Sequence, residues 1–232
     1  MKALLLLLAT GKLGKVLLSG GSMIISLITY SFIYGWMYSL GFVGLLFIHE
    51  YGHYHAAKIR GLDVGLPTFI PFVGAWIQLK EQPIDAETEA FIGISGPMLG
   101  SLGAYIIYLL SYVEDSKLLI AISYSGFILN LFNLIPLSPL DGGRVVSVIS
   151  PKIWYLGIPI LLIIFYFNPS PMLLIIAILA IPRIWEAFQN KSIESDYFSS
   201  NQQLKIQYGF YYISLIVFLS VLSYETHSKL TT

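Results

Sequence analysis

Cysteine is absent from this chain of 232 residues, which excludes disulfides and thiolate metal ligands together. Any metal ion would have to be held by His, Asp or Glu. Charge is nearly as scarce. Only 11% of residues are charged, less than half the share of an ordinary soluble domain. With 56% hydrophobic residues, the exterior is expected to face lipid rather than water. The net charge is zero and no basic run occurs, so nothing points to nucleic acid as a partner. Long polar stretches are missing too. The most extended runs from Gln189 to Gln207, and no soluble accessory domain is expected. Met1-Lys2 followed by the apolar run Ala3 to Ala9 resembles a leader, but the run is short and Thr10-Gly11-Lys12 is not a small-residue cleavage site. A short interfacial or half-inserted segment is expected there.

What the chain does have is apolar sequence in lengths suited to a bilayer. A spanning helix takes about 20 mostly apolar residues. Leu17 to Tyr34 and Trp36 to Ala57 give two such segments joined at Gly35; Ala90 to Tyr112 and Leu118 to Leu137 give two more. The run Ile153 to Ala180 is interrupted by Asn168-Pro169-Ser170-Pro171, a turn signature. It is read as two shorter helices, Ile153 to Phe167 and Met172 to Trp185. Tyr208 to Tyr224 closes the series. With the N-terminus inside, Lys2, Lys12, Lys15, Lys58, Arg60, Lys80, Arg144, Lys152, Arg183, Lys191 and Lys205 fall on the cytoplasmic side. Only Lys117 and Lys229 fall outside. That asymmetry obeys the positive-inside rule. Merging the fifth and sixth segments would weaken it.

Gly61 to Gln82 fits neither a span nor a simple loop. It is apolar but broken by Gly65, Pro67, Pro71 and Gly74, and Val73 to Leu79 has the Val, Trp and Ile content of a strand. Non-helical backbone at membrane depth survives only where protein or a wet cavity satisfies it. The expectation is an all-α polytopic membrane protein of about six to seven transmembrane helices, with a re-entrant or interfacial β-like hairpin between the second and third spans. An ordinary cytoplasmic loop is the alternative for that segment.

The chemistry concentrates in His49-Glu50-Tyr51-Gly52-His53. On a helix, residues four apart lie roughly 40° apart and about 6 Å along the axis, so both imidazoles can reach one ion. Glu50 is turned by about 100° from His49, close to such an ion without being needed as a ligand, where a general base belongs. Zinc suits nitrogen and oxygen donors in a tetrahedral site that keeps one position for water. The plain alternative is an interfacial helix end. Against it, Glu50 closes an apolar run, and a carboxylate inside a bilayer costs about 2.5–3.5 kcal/mol without compensation. His55 lies on the far side of the helix and His227 in the terminal tail; neither suits this ion.

Two histidines need a third ligand. Asp141 follows the fourth span in Asn133-Leu134-Ile135-Pro136-Leu137-Ser138-Pro139-Leu140-Asp141-Gly142-Gly143, and the span count brings it to the face reached by His49 and His53. Asp85, Glu87 and Glu89 compete for the role, although they also read as the charged first turn of the third span. A simple turn at Asp-Gly-Gly is the bland alternative.

Together, His49 to His53 with Ala57 following, Gly96-Pro97 in the third span, and Asn133, Pro136 and Leu140 to Gly143 resemble the site-2 protease family of intramembrane metalloproteases, peptidase family M50. The resemblance covers about residues 35–150. It implies that His49, His53 and Asp141 hold one zinc ion, that Glu50 is the catalytic base, and that Asn133 lines the site and helps with the polarised carbonyl. Many relatives carry Asn where this chain has Gly100, so any role of that side chain is missing here. Gly96, Gly100 and Ala104 also form a small-residue face suited to close helix packing. The implied protein is one integral membrane metalloprotease domain over residues 1–232, with a catalytic core at about 35–150 and C-terminal helices at 151–232. It is expected in the cell membrane, N-terminus and active-site face cytoplasmic, cleaving transmembrane proteins. Its surroundings are lipid, and its oligomeric state is left open. A divalent-metal transporter and a catalytically inactive membrane scaffold are the rival classes. The first needs no base and favours inverted repeats that are not visible here, and the second has no use for Glu50.

Overall fold

A computed structural model describes residues 12–72, 74–76, 81, 83–189 and 196–232. The segment Ala3 to Ala9, most of the expected strand Val73 to Leu79, and Lys80 lie outside the described residues. Among those described, eight α-helices occur: α1 (Lys12–Tyr34), α2 (Trp36–Ile59), α3 (Ala86–Val113), α4 (Lys117–Asn133), α5 (Asp141–Ile149), α6 (Gly157–Phe167), α7 (Pro171–Phe188) and α8 (Gln202–Thr231). Short 3-10 turns at Pro151–Leu156 and Asp196–Phe198 connect the later helices.

Local sequence explains the boundaries. Gly35 adopts φ +82° between α1 and α2, a conformation that glycine reaches without the steric cost of a Cβ. At the end of α2, Gly61 N–H donates to Lys58 O and Leu62 N–H to Ala57 O, each at 3.0 Å. With φ +76° at Gly61, this is a Schellman C-cap. Asp85 caps α3 through Thr88 N–H at 2.7 Å, and Asn201 caps α8 through Leu204 N–H at 2.8 Å. Ser170 with Pro171 at the first helical position starts α7, so the break expected at Asn168 to Pro171 is present.

The exterior is apolar, the reverse of a soluble protein. Phe32 is 85% exposed and Leu18 75%, side chains suited to lipid contact. The apolar parts of α1, α3, α7 and α8 are long enough to cross a bilayer, and α4 and Pro151–Phe167 are shorter apolar helices. α2 has the length, but its polar His-Glu-His segment lowers its hydropathy. The chain is a multi-pass membrane protein. α3 is its axis, packed against α2, α4, α5 and α8.

Between α2 and α3, β1 (Thr68–Ile70) and β2 (Gly74–Trp76) pair antiparallel, Phe69 opposite Ala75. α1 holds this hairpin from behind. Ser19 Oγ donates to Pro67 O at 2.5 Å, Phe69 N–H to Ser22 Oγ at 3.1 Å, and Phe72 N–H to Tyr30 OH at 2.9 Å. Hydroxyls of α1 thus pair with backbone groups of the hairpin.

The two ends of the bundle are fastened differently. At one end Arg60 pairs with Glu87 at 2.9 Å, Tyr197 OH donates to Glu89 at 2.7 Å, and Arg183 lies 3.9 Å from Glu89. The half-buried Tyr197 phenol is pushed well above its ordinary pKa, by desolvation first and by the Glu89 carboxylate second. At the other end Tyr108 donates to Glu225 at 2.6 Å, and Lys229 lies 3.2 Å from the same carboxylate, clamping α8 to α3.

Candidate metal centre

α2 presents His49 and His53 on one buried face, with Val43, Leu46, Glu50 and Ala57 also buried on that helix. α3 makes room for them with glycine. A Cβ on Gly52 would lie 2.4 Å from Ser95 O, so the α2 and α3 backbones touch there. A Cβ on Gly96 would lie 2.2 Å from His53 Nε2; the imidazole occupies that space instead.

Asp141 is the first residue of α5 rather than part of a turn. The start of α5 is wrapped by the preceding segment. Cβ atoms on Gly142 and Gly143 would lie 2.2 Å from Leu134 O and 2.4 Å from Ser138 N. The double glycine therefore lets the helix enter against that backbone. Trp154 Nε1–H donates to Gly143 O at 2.8 Å and pins the same turn.

These elements bring three donor atoms together. His49 Nε2 and His53 Nε2 are 3.1 Å apart, and each is 3.2 Å from Asp141 Oδ2. All three residues are buried. The outer nitrogens are already committed: His53 Nδ1 is 2.8 Å from Ile92 O, and His49 Nδ1 is 2.8 Å from Asn130 Oδ1. Carbonyl oxygens only accept, so both Nδ1 atoms carry the proton and both Nε2 atoms present lone pairs. Two lone pairs and a carboxylate oxygen thus converge out of water, an arrangement that a shared cation relieves. Zinc bonds of about 2.0–2.1 Å at tetrahedral angles separate donors by about 3.3–3.4 Å, close to the spacing found. The donor set fits zinc.

Glu50 is 5% exposed, and its carboxylate has no hydrogen-bond or ion-pair partner among the described residues. Asn133 ends α4, half-buried, with its Nδ2–H donated to Leu129 O at 3.0 Å. The competing acids are engaged elsewhere: Asp85 in its cap, Glu87 with Arg60, and Glu89 with Tyr197 and Arg183. His55 is exposed and stacks on Tyr51, with ring centroids 6.0 Å apart. His227 lies against Tyr124 at 5.6 Å.

One residue of the centre has no place in the sequence reading. Asn130 is fully buried and hydrogen-bonds directly to His49. Its signal was there: it is a lone amide within the apolar run Ile128 to Phe132, and polar residues inside spans mark function by default.

His49, Glu50 and His53 fall within a stretch that matches a known family. Residues 37–125 match the sequence model of peptidase family M50. A zinc metalloprotease of Methanocaldococcus jannaschii, MJ0392, is 31% identical over 138 residues, which is 57% of this chain and 40% of that protein. The alignment thus spans less than half the length of this curated relative. Over residues 37–125 the chain is thus similar to peptidase family M50.

The ligand assignment has a direct check. Asp141→Asn should weaken zinc binding in chelator competition, because an amide is a poorer ligand than a carboxylate, whereas His55→Ala should bind zinc as the unaltered chain does. Equal affinity in Asp141→Asn would remove Asp141 from the ligand set.

Proposed function

We propose that this protein is a zinc-dependent endopeptidase that cleaves other membrane proteins within or near their transmembrane segments. The observation that carries it is the buried convergence of His49, His53 and Asp141 at the region of α2 that also buries the carboxylate of Glu50, which has no hydrogen-bond partner among the described residues. A transporter needs the first three and has no use for the fourth.

His49, His53 and Asp141 would hold the ion. Zinc bound there supplies polarisation of a peptide carbonyl and acidity to a water molecule. Glu50 would accept a proton from the water that adds to the carbonyl carbon and pass it to the nitrogen that leaves as the C–N bond breaks. Asn133 keeps one amide hydrogen on Leu129 O and offers the other to the oxyanion as it develops. A helical substrate hides its carbonyls in its own hydrogen bonds, so it must unwind before attack. The β1–β2 pair, set in a re-entrant or interfacial position, would hold the extended form by adding it as a further strand. Residues 1–232 act as one membrane domain, with the catalytic core at about 35–150.

The reading is tested with purified protein and a single-span reporter substrate in detergent. Cleavage should stop on addition of a zinc chelator and return with zinc, and mass spectrometry should place the cut inside or beside the span. Zinc binding with no cleavage of any membrane-spanning reporter would count against the proposal.

The active-site end is assigned to the cytoplasm on the Lys and Arg distribution. Lys152 and Lys117 are both exposed, and any introduced thiol would be the only one in the chain. An impermeant maleimide applied to intact cells should label Lys117→Cys, and should label Lys152→Cys only after lysis. The opposite pattern would invert the orientation.

A further inference from the structure

Asn130 stands in a chain of contacts that ends on backbone. Its Nδ2–H donates to Gly126 O at 2.7 Å, in the preceding turn of α4. A carbonyl oxygen can only accept, so that bond fixes which way the amide points. Oδ1 is thereby turned to His49 Nδ1 at 2.8 Å, where it can only accept, and the ring must carry its proton on Nδ1. The lone pair is left on Nε2, the atom that meets His53 and Asp141.

His53 reaches the same tautomer by a different route, through the backbone oxygen of Ile92. That partner survives any side-chain replacement. His49 depends on one that does not.

The neighbouring helix is shaped around the amide. A Cβ on Gly100 would lie 2.4 Å from Asn130 Oδ1 and 3.0 Å from its Nδ2. The three atoms closest to that position all belong to Asn130. Gly100 is therefore space that the amide fills.

We propose that Asn130 is a positioning residue for the metal centre. It fixes the tautomer and ring orientation of His49 from α4, and Gly100 of α3 is the vacancy that lets it do so. Asn130 touches no reacting atom; it acts through His49. Hydrogen-bond partners of metal-ligating histidines typically contribute about 10–100-fold to metal affinity.

This inference rests on the zinc-site reading, and zinc titration of the unaltered chain tests that reading by itself. If the unaltered chain binds no zinc, the zinc-site reading fails and the Asn130 proposal with it. If it binds zinc, the Asn130 variants decide the proposal alone. Asn130→Leu keeps a similar side-chain size and removes the acceptor. It should lower zinc affinity about 10–100-fold in chelator competition. Histidine-selective 15N NMR should also lose the protected Nδ1 proton of His49 and keep that of His53. Unchanged zinc affinity together with a protected His49 Nδ1 proton in Asn130→Leu would overturn the proposal.

Gly100→Ala supplies a second test that leaves Asn130 in place. Its Cβ must displace the amide, so zinc affinity should fall. In the Asn130→Ala background the same change should alter affinity by less than about twofold, since the clash partner is gone. Equal losses in the two backgrounds would reduce Gly100 to packing and overturn the pairing. Thermal unfolding of each variant separates these effects from misfolding.

Discussion

Glu50→Gln is expected to bind zinc like the unaltered chain and to lose cleavage by about 10²–10⁴-fold, the usual contribution of a positioned acid–base group. The two residues are nearly the same size. Glu50 is on the metal helix but is not one of the three converging donors, so the ligand set is untouched. Its carboxylate is buried and has no hydrogen-bond or ion-pair partner among the described residues, so no structural bond is lost either. Replacing a buried charge by a neutral amide even relieves a desolvation cost. The variant should be at least as heat-stable as the parent. Zinc content by metal analysis, reporter cleavage and thermal unfolding decide the matter together. Retained cleavage would take the base role from Glu50, and lost zinc would make it a ligand.

The second large effect is expected where no donor atom is touched. Gly96→Ala adds one methyl group, 2.2 Å from His53 Nε2 and 2.3 Å from its Cε1. Real Cβ atoms do not approach that closely, and His53 cannot yield easily. Its Nδ1 is held by Ile92 O in the same helix as the new methyl, and its other side is His49, with ring centroids 4.8 Å away. The ring must leave the three-donor geometry or α3 must move away from α2. Either way zinc affinity should fall by more than the roughly 10–100-fold that follows loss of a ligand's hydrogen-bond partner. Gly44→Ala is the matching control, because nothing lies within 4 Å of its added Cβ. It should bind zinc normally. If Gly96→Ala bound zinc as tightly as Gly44→Ala, the close approach at His53 would be soft, and the fit of α3 to the metal would not matter.

Much of this architecture is legible in the sequence, for physical reasons. Helix limits follow glycine and proline, which act locally: Gly35 and Gly61 at positive φ, Ser170-Pro171 at a helix start. His49 and His53 are found because four residues on a helix is a fixed geometry. Counting spans brings Asp141 to the right face, but brings Asp85, Glu87 and Glu89 there as well, so it narrows the third ligand without fixing it. What escapes is the partner of each ligand. Asn130 is 81 residues from His49 and Ile92 is 39 from His53, and no local pattern relates such pairs. The hairpin is legible only in outline. β1 lies upstream of the strand suggested by Val73 to Leu79, and its pairing depends on hydroxyls of α1 that carry no strand signal.

Gly96 and Gly100 stand one turn apart on α3, each holding open a space that a distant side chain fills. Gly93 does the same a turn earlier, where an added Cβ would meet Arg144 and the backbone oxygen of Asp141. Glycine has no smaller substitute. Elsewhere in a core, a lineage can drift between residues of similar volume and repair the fit in small steps. Along this edge of α3 every replacement only adds atoms, so each step of drift must be matched across a helix interface by a loss at His53, Asn130 or the start of α5. Change here has to come in pairs.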